Sequence, residues 1–67
     1  MYEYRNRVEN GVLGDLKNDQ DTITMFLKNG YQMTGFVEDY DDRVVILQSE
    51  TKRQMVYRSV ISTITFM

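Results

Sequence analysis

Apolar and polar residues alternate along most of the chain beyond residue 22, as in the segment ITMFLKNGYQMTGFVEDY. Alternation places successive side chains on opposite faces, which is typical of β-strands with one buried face. Turn-forming residues divide the region into five predicted strands, at residues 22–28, 31–39, 43–49, 53–57 and 61–66. The pattern therefore predicts a meander of antiparallel strands, because short turns join antiparallel neighbours.

The turn between the first two predicted strands contains Asn29 and Gly30. Asn-Gly between alternating segments is the strongest local signal for a hairpin, and it predicts a type I′ turn in which both residues have positive φ. Later turns are predicted at residues 41–42, at residues 50–52 and in a tight connection at residues 58–60.

Two features predict how the sheet is shaped. Gly35 interrupts the second predicted strand, and a glycine within a strand marks a sharp bend or the close approach of another backbone. Residues 44–47 are apolar on both faces of the third strand, which predicts burial on both sides. We therefore expect a strongly bent, five-stranded antiparallel sheet that forms a small open barrel.

A short α-helix is predicted before the sheet, over residues 8–18. Its apolar residues share one helical face: Val8, Val12, Leu13 and Leu16. Gly11 and Gly14 each lower the helix propensity by about 1 kcal/mol relative to Ala, so packing is expected to hold this helix in place. The predicted fold is thus mostly β with an N-terminal helix, in one domain over residues 1–67.

The composition excludes several kinds of chemistry. The chain has no Cys and no His, so we expect no disulfide, no structural zinc site and no cofactor. Its net charge of −2 argues against binding nucleic acid mainly by neutralising phosphates. No apolar run approaches the roughly 18 residues of a membrane span, and the N-terminal region lacks an apolar signal segment. These features predict a soluble, cytoplasmic protein.

The last predicted strand, ISTITF at residues 61–66, is apolar, β-branched and uncharged. An open edge of this kind favours pairing with another chain. A chain of this size buries only about 60% of the surface that its unfolded form exposes, and small domains usually need additional stabilisation. We therefore predict a homo-oligomer in which strands pair head to tail and close into a ring.

Two segments resemble the Hfq family of bacterial Sm-like RNA chaperones: NGYQMTGFVEDYD at residues 29–41 and QMVYRSVIST at residues 54–63. The resemblance covers about residues 8–66, and its most specific part is the YxxxIST element that begins at Tyr57. It implies a homohexameric ring in which the fourth predicted strand pairs with the fifth strand of the next subunit. The residues that it implies at this interface are Val56, Tyr57, Ile61, Ser62, Thr63 and Ile64.

The resemblance also implies a distal face that binds purine-rich or A-rich single-stranded RNA. The residues at its positions are Phe26, Asn29, Gly30, Tyr31, Gln32, Met33 and Gln54. Phe26 and Tyr31 would stack on bases, at roughly 1–3 kcal/mol per base, which tolerates a negatively charged protein. Gln32 and Gln54 would read base edges, and Met33 would fill the space under a base.

The proximal pore that the resemblance implies is altered in this chain. The residues at its positions are Glu9, Asn10, Arg43, Tyr57, Arg58 and Ser59. Glu9 replaces an amide that would contact uracil, and Ser59 replaces a larger His. Arg58 retains a cation for phosphate, and Arg43 could stack on a base where the family has an aromatic ring. Binding of U-rich RNA is therefore expected to be weaker than binding of A-rich RNA.

The rim of the ring also differs from that of relatives with an arginine patch. Asp15, Lys17, Asn18 and Asp19 stand at these positions and supply one cation beside two carboxylates. Annealing that depends on a basic rim is expected to be poor.

Two functions remain open from the sequence. One is an RNA-binding riboregulator or RNA chaperone that uses the distal face. The other is a divergent relative that acts as a protein-interaction or assembly module with weak or no RNA binding; Phe26 and Tyr31 would then only shield the sheet. The acidic residues at 38–42 lack a nucleophile or His for catalysis and the Gly and distal Glu of an EF-hand, so neither an enzyme nor a metal site is predicted.

Overall fold

The computed structural model describes residues 2–3 and 9–66 of the chain. Its elements in chain order are β1 (Tyr2–Glu3), α1 (Glu9–Asp19), β2 (Ile23–Leu27), β3 (Gln32–Tyr40), β4 (Val44–Gln48), β5 (Arg53–Tyr57), a 3₁₀ helix (Arg58–Val60) and β6 (Ile61–Thr65). All strand pairs are antiparallel, and the sheet order is β1-β6-β2-β3-β4-β5. The helix and the five strands that follow it confirm the predicted fold, whereas β1 was not predicted.

The helix α1 is held by its apolar face. Leu13 and Leu16 are buried in the core and Val12 packs against it, as the spacing predicts, while Val8 lies outside the described residues. The helix ends at Asp19, and the next residue, Gln20, has a φ of 56° and donates its N–H to the carbonyl oxygen of Leu16 at 2.9 Å. A left-handed residue after the last turn is a common way to satisfy a terminal helical carbonyl.

The sheet bends where β3 changes partners. Its first half pairs with β2, from Phe26↔Gln32 to Ile23↔Gly35, and its second half pairs with β4, beginning at Phe36↔Gln48. A Cβ atom on Gly35 would lie 2.4 Å from the backbone oxygen of Gln48, so only glycine fits. The close backbone approach that Gly35 predicts is therefore confirmed. A register shift between residues 37 and 39 adds a bulge to the same strand.

The first hairpin does not have the predicted type I′ turn. The N–H of Gly30 donates to Leu27 O at 3.0 Å, and the N–H of Leu27 donates to Tyr31 O at 2.8 Å, so the loop has three residues. Gly30 has a φ of 91°, and Gln20 is the one described non-glycine residue with positive φ. Asn29 instead accepts the N–H of Tyr31 through its side-chain Oδ1 at 3.0 Å. Asn29 therefore lacks the positive φ that a type I′ turn requires, whereas Gly30 has it, as is common in three-residue hairpin loops.

The core lies between α1 and the concave side of the sheet. Its buried residues are Leu13, Leu16, Ile23, Met25, Val37, Val45, Leu47, Val56, Ile61 and Ile64. The prediction that β4 is buried on both faces is wrong for the single chain, because Val44 and Ile46 are half-buried on the face that no second layer covers. No helix among the described residues is long and apolar enough to cross a membrane.

The last strand, β6, is not an open edge along its whole length. It pairs with β2 on one side, and on the other Tyr2 and Glu3 pair with Ile64 and Thr63. Among the described residues the sheet has two edges: β1, which pairs with β6 alone, and β5, which pairs with β4 alone.

Candidate functional site

The outer face of the sheet, turned away from the core, carries an aromatic ring between polar residues. Ile23 and Met25 of β2 are buried, so the alternate residue Phe26 lies on the outer face and is half-exposed. Its cross-strand neighbours are Gln32 on β3 and Thr63 on β6. Directly opposed residues in antiparallel strands lie roughly 4.5–5.5 Å apart at Cβ. An amide and a hydroxyl therefore flank the ring, an arrangement suited to holding a planar ligand with polar edges.

The hairpin tip adds a second aromatic ring beside this row. Tyr31 is 68% exposed, the most exposed large hydrophobic residue described. Its backbone is held by two hydrogen bonds, from its N–H to Asn29 Oδ1 and from the Leu27 N–H to its carbonyl oxygen. The Lys28 N–H also donates to Val60 O at 2.8 Å, which ties the hairpin to the 3₁₀ helix. The tip thus presents Tyr31 to solvent on a well-supported backbone.

Two of the predicted distal residues lie elsewhere in the single chain. Met33 is half-buried and packs against the core, on the opposite side of β3 from Gln32. Gln54 is on β5, opposite the buried Leu47, and β3 and β4 separate it from Phe26 in the sheet. The outer-face row and the hairpin therefore form one continuous surface, to which Met33 and Gln54 do not contribute within the described part of one chain.

The predicted pore residues do gather at one end of the molecule. Arg58 donates through Nη2 to Asn10 Oδ1 at 2.9 Å and through Nη1 to the carbonyl oxygen of Asp41, and its N–H donates to Arg43 O at 2.9 Å. Arg58 as a whole is only 8% exposed. The guanidinium is therefore engaged in internal contacts, and its role as a phosphate ligand stays a prediction that requires those contacts to be released.

The other pore residues surround this internal contact. Tyr57, Ser59, Asn10 and Arg43 are exposed, and the side chain of Glu9 lies outside what the structure describes. The cluster joins the beginning of α1, the β3–β4 turn and the 3₁₀ helix. These residues are distant in sequence, yet the structure brings together all of those whose side chains it describes.

Two carboxylates of the β3–β4 region hold local structure. Asp41 Oδ1 accepts the N–H groups of Arg43 and Val44 at 2.8 and 2.9 Å, and these bonds keep the pKa of Asp41 below its ordinary value. A hydrogen bond from Lys17 Nζ at 3.1 Å is the main reason that the pKa of Asp39 is lowered. In the described part of the chain, no three potential ligands lie close enough to hold a metal ion.

Two ion pairs offset the charge of surface cations. Lys17 pairs with Asp39 at 3.1 Å, and Arg53 pairs with Glu38 at 2.7 Å. Lys17 is the single cation at the predicted rim positions, so the rim residues of the described chain carry no unpaired positive charge. Lys28 and Lys52 are exposed and have no ion pair with any described residue.

The structure also exposes apolar residues that the sequence reasoning did not assign to a site. Met55 on β5 is 60% exposed and Val60 is 40% exposed. The signal for Met55 was present in the alternation of β5, where Gln54 and Val56 point to the core side and Met55 and Tyr57 point away. Met55 and Tyr57 both lie on β5, which has no partner on its outer edge among the described residues.

The comparisons with known proteins agree with this architecture. The family model described as "Hfq protein" matches residues 8–67. A protein named "RNA-binding protein Hfq" from Carboxydothermus hydrogenoformans is 40% identical over 64 residues, covering 96% of this chain and 75% of the relative. The protein of the same name from Geobacillus sp. is 36% identical over 56 residues, covering 84% and 76%.

A solved structure supports the same assignment. The crystal structure described as that of the pleiotropic translational regulator Hfq superposes with a TM-score of 0.85 at 38% identity, covering 90% of this chain and 100% of the other. A short helix followed by five bent antiparallel strands defines the class as Sm-like. The chain belongs to the Hfq family.

Proposed function

We propose that this chain is an Sm-like riboregulator and RNA chaperone that binds A-rich single-stranded RNA without catalysing a reaction. The observation that carries the proposal is the outer-face row Thr63–Phe26–Gln32 beside the exposed Tyr31. Two aromatic rings supply stacking surfaces, and the amide and hydroxyl groups supply hydrogen bonds for base edges. The relatives' printed name, RNA-binding protein, supports this ligand class.

The charge distribution supports stacking over phosphate contacts. The chain has a net charge of −2, and Lys17, Arg53 and Arg58 are all engaged with protein groups. Lys28 and Lys52 remain as exposed cations near the hairpin and the β4–β5 loop, and Arg43 remains at the pore end. With so few phosphate ligands, most of the affinity must come from base contacts.

The proposed assembly is a homohexameric ring in which β5 of one subunit pairs with β6 of the next. The unpaired edge of β5 and the exposed Met55 and Tyr57 support this arrangement. The proposed interface comprises Val56, Tyr57, Ile61, Ser62, Thr63 and Ile64. Closure along β6 requires Tyr2 and Glu3 to release that edge. It would also bring the neighbour's Gln54 towards the Phe26 face, which the single chain does not do.

The pore is proposed as the weaker RNA site. Glu9 would place six like charges around the pore of a hexamer, and Ser59 is too short to replace a His donor. Arg58 is held by Asn10 and Asp41, so it would have to leave internal hydrogen bonds to reach phosphate. U-rich RNA should therefore bind less tightly than A-rich RNA.

The second candidate function, an assembly module with little or no RNA binding, is favoured by the same observations on the pore and the paired Lys17. We propose the cytoplasm as the site of action in either case, since single-stranded messenger and regulatory RNA are found there, and cell fractionation tests this placement.

Fluorescence anisotropy with oligo(A) and oligo(U) at physiological salt separates the two functions. The RNA-binding proposal expects tight oligo(A) binding and weak oligo(U) binding. It also expects Tyr31→Ala to weaken oligo(A) binding, while Tyr31→Phe, which keeps the ring, does not. Absence of binding to either RNA by a properly assembled protein would leave the assembly module as the function.

A further inference from the structure

A groove of about 440 Å³ lies on the outer face where β3 leaves β2 and turns towards β4. Its walls include Thr34, Phe36, Gln48, Ser49 and Glu50. None of the residues that line it belongs to the RNA-binding or interface sets described above. The groove is therefore a separate feature of the surface that already carries Phe26.

Phe36 is an aromatic residue that the core does not use. It is half-exposed and belongs neither to the buried core nor to the partly buried residues that pack against it, and the same is true of Phe26. Gln32 lies opposite Phe26, and Phe36 follows four residues further along β3, a distance of about 13 Å. Both rings thus lie on one face, within reach of a single extended RNA strand.

Gln48 gives the groove a hydrogen-bond acceptor. Its Nε2 donates to Ser49 O at 2.7 Å and to Lys52 O at 3.4 Å. These bonds orient the amide and use its donor, and Oε1 accepts no hydrogen bond from any described residue. Gln48 lies directly opposite Phe36 in the sheet, so the acceptor and the ring belong to the same pair. A ligand with an N–H donor at the edge of a planar ring matches this pair.

The charge of the groove disfavours phosphate as its occupant. Glu50 is the charged residue among those that line it, and no Lys or Arg contributes to the walls. A carboxylate repels an anion and favours a neutral group that donates hydrogen bonds. The hydroxyls of Thr34 and Ser49 add further polar contacts around the ring of Phe36.

We propose that this groove binds one unpaired nucleobase bearing an exocyclic amino group, which stacks on Phe36 and donates to Gln48 Oε1. The proposal rests on the proposed RNA-binding function and extends it, since the base would belong to the strand that stacks on Phe26 and Tyr31. The groove would then add a base contact at each subunit beyond the hairpin.

The test uses oligo(A) binding by the full chain, measured by fluorescence anisotropy. Phe36→Leu keeps the apolar bulk but removes the π-face, and it should weaken binding roughly fivefold to 150-fold, the cost of one lost stack. Phe36→Tyr keeps the ring and should bind like the unmodified chain. Thermal unfolding of each variant checks that the fold is retained.

A second variant tests the hydrogen bond independently of the ring. Gln48→Met keeps the length of the side chain but removes the acceptor. It should reduce the preference for oligo(A) over an oligonucleotide of purine riboside, which lacks the exocyclic amine.

The outcomes distinguish the groove from the wider function. If Tyr31→Ala weakens oligo(A) binding while Phe36→Leu and Gln48→Met leave affinity and preference unchanged, the groove holds no base and the proposed function stands. If the unmodified chain binds no oligo(A), both proposals fall together.

Discussion

Arg58 Nη2 donates to Asn10 Oδ1 at 2.9 Å, linking the beginning of α1 to the residue that follows β5, 48 positions away. The same guanidinium donates to the carbonyl oxygen of Asp41 in the β3–β4 turn. The Arg58 side chain thus ties the beginning of α1 to the β3–β4 turn and to the end of β5, and strand pairing supplies no such link to α1. A residue predicted as an RNA ligand is, in the single chain, a structural link.

Arg58→Ala should lower the free energy of unfolding. Its loss leaves Asn10 Oδ1 and Asp41 O without a charged donor, and hydrogen bonds to charged groups contribute about 1.5–3 kcal/mol. Urea denaturation at one fixed protein concentration measures the effect. Arg43→Ala is the matched control, because Arg43 is exposed and contributes its backbone oxygen to the link. Equal losses in the two variants would mean that the Arg58 side chain adds no stability.

The strands were predicted to within one or two residues because alternation is a local property of the sequence. The type of turn at Asn29 was predicted wrongly, since Asn-Gly between strands fits both a two-residue and a three-residue hairpin loop, and the dipeptide alone does not distinguish them. The burial of Arg58 depends on contacts with Asn10 and Asp41, and no local pattern reports a contact over such a separation.

In the candidate site, too, the features set by local alternation were predictable, and those set by contacts distant in sequence were not. Phe26 lies on the opposite face of β2 from Ile23 and Met25, as the alternation of this segment predicts. The pairing of Tyr2–Glu3 with β6 was missed, because two residues are too few to show a period. The groove beside Phe36 was missed as well, since it exists only where the bend at Gly35 brings β3 to β4.

Gly35→Ala should destabilise the fold strongly. The new Cβ would lie 2.4 Å from Gln48 O, and a backbone atom cannot move aside without distorting the β3–β4 pairing. A loss of about 1–3 kcal/mol or more is expected, as for other overpacked sites. Gly11→Ala is the control: nothing lies within 4 Å of its Cβ position, so a gain of roughly 0.5–1 kcal/mol is expected from helix propensity. Thermal unfolding that ranks the two variants in the opposite order would contradict the bend assigned to Gly35.

Asp41 should contribute to a loss of stability in acid. Its folded pKa lies below the ordinary value of 3.8, chiefly because the N–H groups of Arg43 and Val44 donate to the carboxylate. The unfolded chain therefore takes up the proton first as the pH falls, so the stabilisation is present above 3.8 and is lost as the pH drops through the folded pKa.

The Asp41→Asn variant isolates this titration. The Asn side chain retains an oxygen that can accept both N–H groups, but it does not titrate. Its free energy of unfolding should therefore fall less steeply below pH 3.8 than that of the unmodified chain. Asp42→Asn is the matched control, because it makes the same substitution at an exposed neighbour whose carboxylate accepts no hydrogen bond from the described residues. Identical acid profiles for all three proteins would assign the transition to other carboxylates.

Met55→Lys should dissociate the proposed ring. Met55 is 60% exposed on the open strand β5, and pairing with a neighbouring β6 would bury a lysine there without a partner. Native mass spectrometry should show hexamers for the unmodified chain and for Asn18→Lys, which adds the same charge on the exposed helix, but smaller species for Met55→Lys. Ile64 is a poorer probe, because its side chain is fully buried in the core and its replacement would also disturb folding. A monomer for the unmodified chain would exclude the ring.

The salt dependence of oligo(A) binding should be shallow. Each phosphate contact to a single strand contributes about −0.7 to the slope of log K against log salt. Among the described residues the exposed cations without ion pairs are Lys28, Lys52 and Arg43, and Arg43 lies at the pore end of the chain. Stacking does not release counterions, so Tyr31→Ala should cost on the order of 1–3 kcal/mol per stacked base while leaving the slope unchanged. Lys28→Ala is the complementary variant, which should flatten the slope and weaken binding only modestly. Anisotropy titrations at several salt concentrations measure both quantities. The prediction fails if the unmodified chain shows a steep slope and Tyr31→Ala changes neither that slope nor the affinity by much. Phosphate contacts, rather than stacking on this face, would then hold the RNA.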